Sequence, residues 1–284
     1  MNAKLVSVFF VLALASMACG FNFNVDLPEK ATPGPEVTED ISIPYPAGDD
    51  ANLRLSFGAG EMKLSPGTDR LVEGTATYNY ADFKPIIETD DANIRIKMNE
   101  VLFRGFPTFE DLKNEWDFKL GTDPMDLVIE AGAYKGTFEF GGLSLNSLDI
   151  QDGAAQVELS FSEPNQVEMS SFRYSTGASD IELTGLANAN FSIFDFSGGA
   201  GDYTLDFSGD LQRDASIKIE TGFSNMILVI PEGVNAIVTV ESGISNVNAG
   251  SGWSQNGQVY KQAGEGPTLT FVVEMGAGNL TLTK

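Results

Sequence analysis

Residues 125–161 read MDLVIEAGAYKGTFEFGGLSLNSLDIQDGAAQVELSF, and one pattern occurs twice inside them. Leu127 and Ile129 stand five and three residues before Gly132, and Gly136 and Phe138 stand four and six after it. Leu148 and Ile150 precede Gly153 at the same distances, and Val157 and Leu159 follow it. The frame recurs eight times along the chain, centred on Gly58, Gly132, Gly153, Gly177, Gly199, Gly222, Gly243 and Gly276. The middle six glycines are 21, 24, 22, 23 and 21 residues apart, a repeat period that points to a stacked β architecture. On either side of each glycine the apolar positions alternate, as strands with one buried face require.

The residue after the glycine is alanine in six repeats, with Phe223 and Ile244 as exceptions. A small inward side chain at a tight corner is the expectation, with glycine accepting a positive φ or a bulge there. Three residues after the glycine comes a polar residue in every repeat: Glu61, Lys135, Gln156, Asp180, Asp202, Asn225, Asn246 and Asn279. These are expected outside, some bonded to the neighbouring rung. Second corners are expected at Gly185, Gly209 and Gly233. The fold class is therefore all-β, a flattened single-chain β-helix (β-solenoid) of about eight or more coils. A β-sandwich would also use short alternating strands, but it does not require one glycine-centred frame to recur at near-constant period.

The first interval, Gly58 to Gly132, is 74 residues, long enough for two degenerate coils, with strand-like pieces at Leu71–Tyr80 and Ile94–Met98. The stretch Val101–Leu120 carries Phe103, Phe106, Phe109, Trp116 and Phe118. It is expected to cap one end of the stack, since a solenoid must protect its terminal edge.

Composition narrows the function. The formal net charge is −23, from 40 acidic and 17 basic residues. That argues against nucleic acid, which is bound by neutralising phosphates with Lys and Arg. The chain has no histidine, which removes the usual general base, metal ligand and partner of a nucleophile. Its single cysteine, Cys19, excludes an intrachain disulfide framework and a multi-cysteine zinc site. No cofactor and no metal site is expected.

The N-terminus reads as an address. Residues 1–18 hold Lys4 and the apolar run Leu5–Ala15, too short for the roughly 20-residue helix that spans a bilayer, and so read as an export signal. The run closes on Ser16-Met17-Ala18-Cys19-Gly20, which resembles a bacterial lipobox and implies a lipidated Cys19; Ser16 departs from the aliphatic residue usual at that position. Residues 19–50, with five prolines and many acids, read as a tether ahead of a solenoid domain at 51–284. Within that domain we expect irregular coils and the aromatic segment at 51–124, regular repeats at 125–248, a loop at 249–267 and a final coil at 268–284. The expected location is extracytoplasmic, as a membrane-anchored lipoprotein of a bacterial cell envelope.

The stretch Asn114–Leu120 together with 125–161 resembles the toast-rack family of bacterial lipoproteins and adhesin-like domains. The stretch 217–247 is similar to the C-terminal domain of LiaF-type cell-envelope stress proteins. The resemblance covers roughly residues 51–284, including the closing GPTLTFVVEMGAGNLTLTK, and implies the stacked fold and no catalytic residues.

Three candidate sites follow from the residues. Gly198–Asp202 superficially resembles a calcium-binding β-roll repeat, but Tyr203 occupies the ligand slot and no tandem copy follows. Asp180, Asp202 and Glu220 are the acids that a carbohydrate-active β-helix enzyme could use, yet they fall at turns or on outward positions, with short loops around them. The loop 249–267 carries Trp253, Tyr260 and Lys261 amid Gly, Ser and Gln, and aromatics in such a loop can grip a sugar or peptide. The function expected is a non-enzymatic, lipid-anchored envelope interaction module, adhesin-like or a scaffold, with an envelope protein or glycan as partner. Envelope-stress sensing with a membrane signalling system is the alternative.

Overall fold

The strand Met125–Glu139 changes the face it buries at Gly132. Met125, Leu127 and Ile129 are buried before the glycine, and Tyr134 and Phe138 after it, so the buried positions pass from odd to even numbers. Side chains alternate along a strand, so such a switch needs one extra residue in the pleat, and the strand bends there. Both arms contribute to one hydrophobic core.

The computed structural model describes residues 33–48, 50–98 and 112–284, with the backbone alone at 242–245. The signal segment, Cys19, the first part of the tether and Phe103, Phe106 and Phe109 lie outside the described residues. The strands in chain order are β1 (Val37–Ile43), β2 (Ala51–Thr68), β3 (Val72–Tyr78), β4 (Pro85–Asp90), β5 (Asn93–Met98), β6 (Asn114–Gly121), β7 (Met125–Glu139), β8 (Leu145–Ser160), β9 (Ser171–Thr184), β10 (Ile193–Asp206), β11 (Ala215–Val229), β12 (Val234–Ala249), β13 (Ser254–Asn256), β14 (Val259–Gln262) and β15 (Glu265–Thr283). All fifteen belong to one sheet.

Eight of these strands are bent at a repeat glycine and run parallel in the order β2-β7-β8-β9-β10-β11-β15-β12. Their apolar positions stack in register: Leu127 lies beside Leu148, Leu148 beside Phe172, and Phe172 beside Phe194. The Phe172 and Phe194 rings are 4.6 Å apart. The flattened solenoid and its period therefore stand. Its last rungs do not follow chain order, because β15 lies between β11 and β12 and pairs with both along their length.

The repeat glycines are explained by close approach between rungs. An ideal Cβ on Gly132 would lie 2.3 Å from the carbonyl oxygen of Gly58, and one on Gly177 would lie 2.3 Å from that of Gly153. None of the repeat glycines at 58, 132, 153, 177, 199, 222 and 276 has a positive φ. The connecting-turn glycines do need one, with φ of 69° at Gly185 and 89° at Gly233. The alanines also differ from expectation: Ala133, Ala154, Ala178 and Ala200 are exposed on the outer side of the corner. The inward corner positions are the residue before the glycine and the second one after it, such as Thr176 and Ser179.

The first interval forms one interrupted rung rather than two coils. β5 pairs with the first arm of β2 and β6 with its second arm. Antiparallel strands finish this end, β4 on β5, and β3 followed by β1 on β6. Trp116 and Phe118 on β6 are buried, and Trp116 packs against Phe57 with ring centroids 4.9 Å apart. The tether is shorter than expected, since residues 37–43 are a sheet strand. Ile41 and Ile43 alternate into the core there, and Pro44 and Pro46 follow the strand.

Candidate functional site

The loop 249–267 folds as a hairpin over the last rung. β14 pairs antiparallel with the first arm of β12, and β13 pairs with β14. Tyr260 is buried in the core, and its hydroxyl accepts a 2.9 Å bond from the Gln255 amide. Trp253 is half-buried against the same core, and Lys261 is exposed. The structure thus brings Trp253 and Tyr260 together as a cover for the end of the stack and leaves Lys261 on the surface. Tyr260 has no exposed ring face with which to grip a ligand.

The three acids considered for catalysis lie on two different outer faces. Asp180 and Asp202 are neighbours in register on the second arms of β9 and β10, whereas Glu220 is on the first arm of β11, paired with Lys218 at 2.9 Å. Among the described residues no group of three or more acidic, cysteine or histidine side chains could hold a metal ion.

One polar cluster inside the corner was not anticipated. Asp152 stands directly before Gly153, where other repeats carry Phe57, Ala131 or Met275. Its carboxylate accepts from the hydroxyls of Tyr174 (2.9 Å), Tyr134 (3.4 Å) and Thr176. The hydroxyls of Thr176 and Ser179 are 2.5 Å apart, and Ser179 Oγ accepts from the Ala155 N–H at 2.9 Å. Burial raises the Asp152 carboxyl above its ordinary value against the pull of these hydroxyls. Burial likewise raises Tyr134 and Tyr174 well above the usual phenol range and takes Tyr203 to about 12. The cluster joins neighbouring rungs through hydrogen bonds within the corner. The sequence signal was available: an acid at an inward corner position, with tyrosines in neighbouring repeats.

The outer face of the second arms is where the rungs differ most. Outward positions carry at least one charge on each of the first five bent strands: Glu61 and Lys63, Lys135 and Glu139, Glu158, Asp180 and Glu182, then Asp202 and Asp206. On the second arms of the next three strands, β11, β15 and β12, the charges stop. Residues 223–229, 277–283 and 244–249 contain no acidic or basic side chain. Their outward residues are Phe223, Asn225, Ile227 and Val229, then Asn279, Thr281 and Thr283, then Asn246 and Asn248. Phe223 is 69% exposed and Ile227 38%. The amides form a row across the strands: Asn225 donates to Asp202 Oδ1 at 2.7 Å, and Asn279 donates to Asn225 Oδ1 at 2.8 Å. The expectation that polar residues after the glycine bond the neighbouring rung holds here. In a chain of net charge −23 this uncharged face, with amides, hydroxyls and one open aromatic ring, is the surface best suited to a neutral partner.

Residues 32–171 match the family described as the N-terminal domain of toast_rack, DUF2154. The stretch 217–247 lies beyond that match. No curated protein matches the chain. Among solved structures, a candidate cell adhesion protein from Clostridium sporogenes is 18% identical, with a TM-score of 0.49 over 88% of this chain and 99% of that one. A candidate adhesin from Bacteroides fragilis is 10% identical, with a TM-score of 0.36 over 87% and 97%. A candidate lipid binding protein from Parabacteroides distasonis is 10% identical, with a TM-score of 0.32 over 87% and 97%.

Proposed function

The chain is a toast-rack protein, and from that premise we propose that it is a non-enzymatic interaction module of the cell envelope, held there by a lipid on Cys19. The module engages an uncharged envelope glycan through the outer face of β11, β15 and β12. The observation that carries this reading is the absence of charge across the second arms of three adjacent rungs in an otherwise strongly acidic chain, beside the exposed Phe223 ring. Amides and hydroxyls in rows can hydrogen-bond sugar hydroxyls, and a ring lying open on the surface can stack on a sugar face. An acidic surface elsewhere keeps the module soluble and away from anionic headgroups.

The test is capture of neutral polysaccharide from the native envelope by the full chain, compared with the Thr281→Asp variant, which leaves the amide row intact. The variant puts charge on the face with little change of side-chain volume. Loss of capture with an unchanged melting temperature is the expected result. Equal capture by both chains would remove this face from the function, and capture of a protein instead would make the partner a polypeptide.

A further inference from the structure

Among the described residues, the outer edges of the sheet are not alike. β1 carries Glu39 and Asp40 on its edge, and β4 carries Pro85, Glu88 and Asp90. β13 is only three residues long. Charges, prolines and shortness are the usual protections of an edge strand against pairing with another chain. The second arm of β12 has none of them: Ser245-Asn-Val-Asn-Ala249 pairs only with β15 among the described residues, and the β13–β14 hairpin covers only the first arm.

We propose that two copies of this chain pair antiparallel through the second arm of β12, about a two-fold axis at Val247. Three observations select this occupant. First, two chains of net charge −23 can come together at low cost only where charge is missing, and this edge borders the uncharged face. Second, the backbone groups fit. Gly250 donates to the Leu282 carbonyl on β15, so by alternation Val247 and Ala249 turn their N–H and C=O to the free side. Val247 then exchanges both hydrogen bonds with Val247 of the partner subunit. Third, the side chains match face for face in that register. Exposed Asn246 lies opposite Asn248 of the partner subunit on the outer face, and Val247 and Ala249, packed against the core, continue it across the axis. The pairing is isologous and closes at two copies, and it sets two uncharged faces side by side. Such a short edge buries less than a standard stable interface, so the dimer is weak and concentration-dependent.

Disulfide trapping in the full chain tests this. In a Cys19→Ser background, Val247→Cys places two thiols across a hydrogen-bonded pair, where Cα atoms are ~5.5 Å apart, within the ~4.4–6.8 Å that a disulfide accepts. Mild oxidation is expected to give a two-chain species at least about tenfold more abundant than from Thr281→Cys, one strand further in. Adding Asn246→Glu/Asn248→Glu, which sets like charges opposite each other without touching the core, is expected to abolish it. Equal trapping from Val247→Cys and Thr281→Cys, or trapping that survives the two glutamates, would overturn the proposal.

Discussion

The carbonyl oxygen of Gly58 occupies the space beside the Cα of Gly132, 2.3 Å from where a Cβ would stand, and the same contact passes from Gly153 to Gly177. Each rung thus rests on its neighbour at the corner, backbone against backbone. A methyl group at Gly177 would meet a main-chain oxygen that cannot swing away. Gly177→Ala is therefore expected to cost about 2–3 kcal/mol of unfolding free energy. Ala178→Ser, on the exposed side of the same corner, is expected to stay within about 0.5 kcal/mol. Equal effects in denaturant titration would contradict the close-approach account.

Two hydrogen-bonded acids, Asp152 inside the corner and Glu139 on the outer face, predict opposite pH dependences. Burial raises Asp152, so its folded carboxyl holds a proton more tightly than the unfolded one. The stability this contributes is complete below the unfolded value and is lost as pH rises through the folded one. At Glu139 burial also pulls upward, but bonds from Ser160, Ser162 and Gly141 outweigh it, and the carboxyl is lowered. Its contribution is present above the unfolded value and lost as pH falls through the folded one. Between pH ~7 and ~4, wild type should gain on Asp152→Asn and lose on Glu139→Gln. Parallel pH profiles for wild type and both variants would refute this assignment.

Strand β15 holds β11 and β12 together through two ladders at once. Deleting residues 265–284 is expected to remove both and to abolish amide hydrogen-exchange protection in residues 246–249, which pair with β15 and with no other described strand. The counter-result is retained protection, which would mean that β12 closes the gap and pairs directly with β11.

How much of this was legible without coordinates depends on what each feature encodes. The rungs, their period and the corners were, because glycine, two apolar pairs and one polar site repeat together. The order of the last rungs was not: the frames around Gly243 and Gly276 are equivalent partners for the Gly222 rung, and nothing local says which docks first. The alanines face outward because one extra residue at the bend turns the position after glycine, which strand alternation alone does not show. At Val37–Ile43 only Ile41 and Ile43 are buried, too short an apolar signal to stand out among acids and prolines. The uncharged face is written in the repeats at 223–229, 277–283 and 244–249, but only stacking shows that they adjoin.

The hairpin over the last rung yields a contrast between adjacent residues. Tyr260→Ala should cost roughly 3 kcal/mol, as removal of a buried ring does, whereas Lys261→Ala should be nearly silent. Similar melting temperatures for the two variants would show that the hairpin does not cap the core.

The most direct test of the recognition face is binding of purified neutral envelope polysaccharide to the full chain and to Phe223→Ala/Ile227→Thr, by calorimetry. Both side chains are exposed, so folding should be preserved. The account predicts at least a ~10-fold weaker association for the variant, about 1.4 kcal/mol, at an unchanged melting temperature. Unchanged affinity would contradict it.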